Sequence, residues 1–190
     1  MRYKWLPAVC AVVVVSAAAC SSGGVNAEKG KERANQTRKE TAAVYWKLYN
    51  SLDAPASTSG GAGYFTSCGK SGSSSVQYVV RALIRATSDK KMTYASLEQT
   101  VADQLAAAGW HLTPSEDGRS AEKSGITVEL ELPSVGAGPT TALQVESGCV
   151  DVGAAKDTVS DGYSFNSDWD QYKDADASAS PVPTTFPSAD

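Results

Sequence analysis

The stretch VQYVVRALIRAT, residues 76–87, decides the fold. Val76, Tyr78, Val80, Ala82 and Ile84 fall on one side of an extended chain, with Gln77, Arg81 and Arg85 on the other. Successive strand side chains point to opposite faces, so the pattern predicts a long strand with one buried and one wet face. A sheet with one apolar face needs a cover, and the flanking sequence supplies two helical candidates. Upstream, Thr41, Val44, Tyr45, Leu48 and Leu52 recur at helical intervals behind Thr37 and Glu40, a capping-box pair. Downstream, Tyr94, Leu97, Val101, Leu105 and Ala108 form the stripe of a helix over 93–108, which Gly109 stops.

The other segments read as turns and strands. Residues 55–75 are rich in Gly and Ser and read as a loop interrupted by Tyr64, Phe65 and Cys68. Trp110 to Leu112 starts a strand that turns at Glu116-Asp117-Gly118. Residues 120–123 and 126–132 read as a hairpin about Ser124-Gly125, with Ile126, Val128, Leu130 and Leu132 alternating with Thr127, Glu129 and Glu131. Leu143, Val145 and Cys149 alternate with Gln144 and Glu146 in a last strand. The order α-β-α-β-β-β predicts an α+β domain over 37–150: an antiparallel sheet with two main helices packed on one face. Its open face is expected to gather Arg81 and Arg85 with Glu129, Glu131, Gln144 and Glu146.

Composition sets outer bounds. The 190 residues suit one modest domain with flanking segments. The formal charge of -4 offers no basic footprint, so no nucleic-acid partner is expected. From Asp151 onward the chain holds eight Asp against two Lys and ends in ASASPVPTTFPSAD. Residues 151–190 therefore read as an acidic, largely disordered tail, with Tyr163, Phe165, Trp169 and Tyr172 as residues able to dock part of it.

The N-terminus reads as a processing signal. Arg2 and Lys4 precede WLPAVCAVVVVSAAA, residues 5–19, an uncharged run too short for a spanning helix of about 20 residues. Ala17-Ala18-Ala19 leads directly into Cys20. This junction resembles the lipobox of bacterial lipoproteins, in which small or aliphatic residues precede a cysteine. The resemblance implies cleavage after Ala19, diacylation of Cys20 and residence on the outer face of the cell membrane. Two acyl chains suffice for stable anchoring. The family favours Leu three residues before the cysteine where this chain has Ala17, so ordinary signal-peptidase cleavage and simple secretion stand as the alternative. With residues 1–19 removed, 20–36 reads as the lipidated cysteine and a polar tether. The lipobox and the layout around Cys68, Gly109-Trp110 and Cys149 are similar to actinobacterial-type surface lipoproteins, a likeness that implies location more than activity.

Processing also simplifies the cysteines. With Cys10 discarded and Cys20 lipidated, Cys68 and Cys149 are left to form one disulfide, as an extracytoplasmic setting permits. If their strands lie antiparallel, the two thiols meet at one end of the sheet.

Catalytic and metal signals are thin. Asn166-x-Asp168-x-Asp170 opens like a calcium loop, but Gln171 stands where glycine is required and Ala177 where glutamate is. His111 is the sole imidazole, and no Gly-x-Ser-x-Gly elbow accompanies it. Gly60 to Gly63 lacks the Lys-Ser/Thr of a phosphate loop. The sequence thus calls for no metal or cofactor and points to a non-catalytic binding or envelope-assembly module, with an envelope protein or polymer as partner. A second reading is an amphiphile or small-molecule carrier with a pocket lined by Tyr45, Trp46, Tyr64 and Trp110. A third is an envelope hydrolase using His111.

Overall fold

The computed structural model describes residues 24–52, 56–58, 61–86, 92–131, 139–163, 170–172 and 186. The strand expected over 76–87 is β3, Ser75–Ala86, and it lies at the centre of the sheet. On one side it pairs with β1, Ala56–Thr58, and β2, Gly61–Ser67; on the other with β7, Thr140–Ser147, and β8, Val150–Asp151. Beyond β7 come β6, Ile126–Glu131, β5, Gly118–Lys123, and β4, Thr113–Ser115; β9, Asp170–Tyr172, closes the edge outside β2. Every pairing is antiparallel. The α+β architecture expected from the alternation is therefore what the chain adopts.

One side of the sheet is dry. Val76, Tyr78, Val80, Ala82 and Ile84 of β3 are buried there with Val128, Leu130, Leu143 and Val145. Two main helices cover this side: α1, Ala27–Tyr49, packs on β3 and β7, and α2, Tyr94–Ala107, packs on β7. Tyr45, Leu48, Leu97, Val101 and Leu105 are fully buried between the layers. Thr93 caps α2 reciprocally with Ser96, satisfying orphan amides at the helix start. Ser124 and Gly125 both take positive φ, 54° and 74°, which the two-residue turn between β5 and β6 requires.

Four expectations need correction. First, α1 begins at Ala27, ten residues before the Thr37 start, with Asn26 as its N-cap accepting from the Lys29 amide. Gly30, Ala34 and Arg38 extend the buried stripe, but as glycine, alanine and arginine they carry no apolar periodicity to read. Residues 27–36 of the stretch expected to be a polar tether are therefore helical. Second, the Gly/Ser-rich stretch contains β1 and β2 rather than a loop alone. In β2, Gly63 and Phe65 face inward, and small residues around Tyr64 mask the alternation.

Third, Trp110 and Leu112 precede the strand, which starts at Thr113. Fourth, the domain runs past residue 150. After β8 come a 3-10 turn, Gly153–Ala155, then α3, Lys156–Ser160, and β9; Val152, Ala155, Val159, Tyr163 and Tyr172 are buried. The expected docking of Tyr163 and Tyr172 is thus observed, while Phe165 and Trp169 lie outside the described residues, as do Cys10 and Cys20.

Cys68 and Cys149 lie at disulfide distance, with Cα atoms 6.0 Å apart and a sequence separation of 81. The antiparallel register of β3 and β7, with Val80 opposite Val145, brings the two cysteines to the same end.

Candidate functional site

The side of the sheet that neither main helix covers, open among the described residues, carries the polar residues anticipated for it. Register sets them in rows. One rung runs Ala62, Arg81, Gln144, Glu129, Ser120; the next alternate rung runs Tyr64, Val79, Glu146, Thr127, Glu122. Arg81 grips Glu131 with both arms, Nε to Oε1 at 2.9 Å and Nη2 to Oε2 at 2.5 Å. That fork geometry is the strong form of a surface ion pair. Its effect on the guanidinium is a pKa raised chiefly by the Glu131 hydrogen bonds. Arg85 stands farther along β3, opposite Thr140.

The carboxylates nearer the middle are held by amides. Gln144 Nε2 donates to Glu146 Oε1 at 2.7 Å and more weakly to Glu129 Oε2 at 3.4 Å, and Gln77 Nε2 reaches Glu146 Oε2 at 3.4 Å. Burial, reinforced by the charge of Glu129, raises the Glu146 carboxyl above its ordinary value, and the Gln144 amide only partly opposes this. Burial likewise raises the Tyr64 phenol, with Glu146 adding to it. Asp117, Glu129, Glu131 and Gln144 line an open depression of about 340 Å³.

A folded-state pKa above the unfolded one favours the protonated form, so Glu146 opposes folding once pH exceeds its folded value. Glu146→Gln is therefore expected to raise stability at pH 7 by up to about 1 kcal/mol, a ceiling set by partial solvent screening. Against wild type, the gain should vanish at pH 3, where Glu146 is protonated. Urea denaturation at the two pH values measures it; a variant less stable than wild type at pH 7 would contradict this account.

A second polar cluster lies inside the fold. Arg38 of α1, fully buried, donates through Nε to Asp170 Oδ2 at 2.7 Å and through Nη2 to Oδ1. Tyr78 also donates to Asp170, its hydroxyl lies 2.7 Å from that of Tyr172, and Tyr163 approaches the same carboxylate at 3.5 Å. The guanidinium stacks 5.7 Å from the Tyr163 ring centre and 5.1 Å from that of Phe186. Burial works against charge on Arg38, but the bond to Asp170 and the surrounding oxygens more than offset it. Burial pushes the Tyr78, Tyr163 and Tyr172 hydroxyls upward, with the Asp170 charge adding to the effect, so all three stay neutral donors. Asp170 is the third residue of the calcium-like string Asn166-x-Asp168-x-Asp170, and its carboxylate is committed to Arg38.

The four aromatic residues expected to line a carrier pocket do not share one. Tyr45 and Trp46 are buried and pack on each other at 5.4 Å and on Tyr172, while Trp110 is buried in the same core. Tyr64 belongs to the opposite, open face, between Gly63 and Phe65, which are buried on the helix side. His111 is exposed on the connection between α2 and β4. Among the described residues no group of His, Cys, Asp and Glu is arranged to hold a metal ion. The Arg38–Asp170 pair escaped the sequence reading because nothing in either neighbourhood marks two residues 132 positions apart as partners.

Comparison with protein-family models, with curated proteins and with solved structures finds no match for this chain.

Proposed function

We propose that the chain is a lipid-anchored extracytoplasmic lipoprotein whose domain is a non-catalytic binding module, with the uncovered sheet face as its recognition surface. One observation carries the binding reading. The helices cover one side of the sheet, and the other side holds Glu129 and Glu146 half-buried against amides beside an acidic depression. Carboxylates in that setting gain from a partner that brings cationic groups, because a bond with both partners charged adds Coulomb attraction that the neutral amide donors do not supply. An envelope protein or an amino-bearing envelope polymer has that chemistry. The lipobox at Ala17 to Cys20 supports the anchor. No helix among the described residues is long and apolar enough to cross a membrane.

Capture from detergent-solubilised envelope by the full-length protein tests the surface. Binding is expected to fall at least tenfold in a Glu129→Lys, Glu146→Lys double variant and to persist in Lys39→Ala on the outer face of α1, since close charge reversal costs several kcal/mol. Equal capture by all three proteins would remove the open face from consideration. Membrane retention is expected to depend on Cys20, and a wild-type protein found wholly in the soluble fraction would defeat the anchor.

A further inference from the structure

The chain between the anchor and the folded body is very short, and it joins that body at one end. Val25 already belongs to the packed structure: its carbonyl accepts from the Ala154 amide at 3.1 Å. Gly153 makes this approach possible, since at φ +54° a Cβ there would lie 2.1 Å from the Val25 oxygen. One turn into α1, Gly30 meets Val152 so closely that a Cβ would fall 2.0 Å from its carbonyl oxygen. Arg33 Nη1 then donates to the Asp151 carbonyl at 3.1 Å, and the Val152 amide to Ser74 at 3.0 Å. Residues 25–33, β8, the 3-10 turn and the approach to β3 thus form one tightly joined pole.

Resting on the reading of Cys20 as the lipidated residue, we propose that this pole faces the lipid surface and that the opposite end of the domain points away from it. The argument is one of length. Five peptide steps separate Cys20 from Val25 and span at most about 18 Å however they are arranged. The 23 residues of α1 extend about 34 Å. The start of α1 is therefore held within about half a helix length of the anchor, while its far end carries no such restraint. Nothing draws the helix flat either. Its outer face exposes Glu28, Lys31, Glu32, Gln36, Lys39 and Lys47, charges of both signs without the apolar stripe of an interfacial helix. Because the pole itself mixes Lys29 and Lys31 with Glu28 and Glu32, tether length rather than charge sets the orientation.

The test uses the full-length lipidated protein in phosphatidylcholine vesicles containing an acceptor-labelled lipid. Lys29→Cys and Lys47→Cys place a donor at two exposed positions on the same side of α1, five turns and about 27 Å apart. Energy transfer to the membrane is expected to be about two-fold or more greater from position 29, as that offset implies. Adding phosphatidylglycerol should leave the ratio unchanged. Inserting about twenty Gly/Ser residues after Ser21 should abolish the difference, because a flexible coil of that length no longer restrains one end. Equal or reversed transfer from vesicle-bound protein, or a difference that survives the insertion, overturns the orientation and leaves the anchor intact. Protein that fails to float with the vesicles overturns the anchor and the orientation together.

Discussion

Asp170→Ala is expected to lower the unfolding free energy by about 3–5 kcal/mol, the cost typical of leaving one buried charge without its partner. The partner is Arg38, fully buried on α1, which would lose both arms of its carboxylate fork. Tyr78 would lose its acceptor in the same step. The damage should also be local, because among the described residues β9 pairs with β2 through three positions, Gly61 to Gly63. Amides along that edge are expected to exchange faster than those of β3 and β7. Urea denaturation with hydrogen exchange measures both effects. The Arg38→Met, Asp170→Leu double variant should recover much of the loss, since an apolar replacement of a buried ion pair is often neutral or stabilising. A loss below about 1 kcal/mol in Asp170→Ala would mean that water or a rearranged side chain satisfies Arg38, contrary to the cluster described.

Removing the Cys68–Cys149 link is expected to cost about 4–5 kcal/mol on the loop-entropy estimate, with smaller values common when the unfolded chain keeps structure. The bridge has a sequence separation of 81 and joins the end of β2, in the turn leading to β3, to the exit of β7. Most of the sheet lies within the loop it closes, so the unfolded ensemble loses much freedom. Cys68→Ser with Cys149→Ser should shift the urea midpoint downward, as should thiol reduction of the wild type. Alkylation without prior reduction should find neither thiol reactive; modification at both positions would show that the pair is unlinked.

These two stabilising devices differ in how far the sequence revealed them. The cysteines could be paired by elimination once the N-terminal pair was assigned to processing, and alternation in β3 and β7 placed them at one sheet end. The Arg38–Asp170 pair left no comparable trace. Arg38 occupies a helix position that reads as wet among Lys39 and Glu40, and Asp170 belongs to an acid-rich string that reads as solvated. Only the docking of β9 against β2 brings the two charges together. The start of α1 was hidden for a related reason: its first buried positions are Gly30, which closely approaches Val152 and Ala155, and Ala34, and small residues leave no hydrophobic period. The open face was the most legible part of the candidate site, because period-two alternation assigns every second residue to it. Its grouping of Tyr64 with Glu146 and Arg81 required β2, whose glycines conceal its alternation.

Local pattern alone determined the central strand over 76–86, the second helix, the Ser124-Gly125 turn and hence an antiparallel sheet covered on one side by helices. Those features arise from residues near one another in the chain, where periodicity and backbone preference act directly. Tertiary structure alone decided that residues 151–163 and 170–172 join the domain, that Trp46 belongs to the core, and that Val25 packs against the 153–155 turn. Each of those outcomes depends on a long-range contact, in which burial and a paired charge outweigh what the local composition favours.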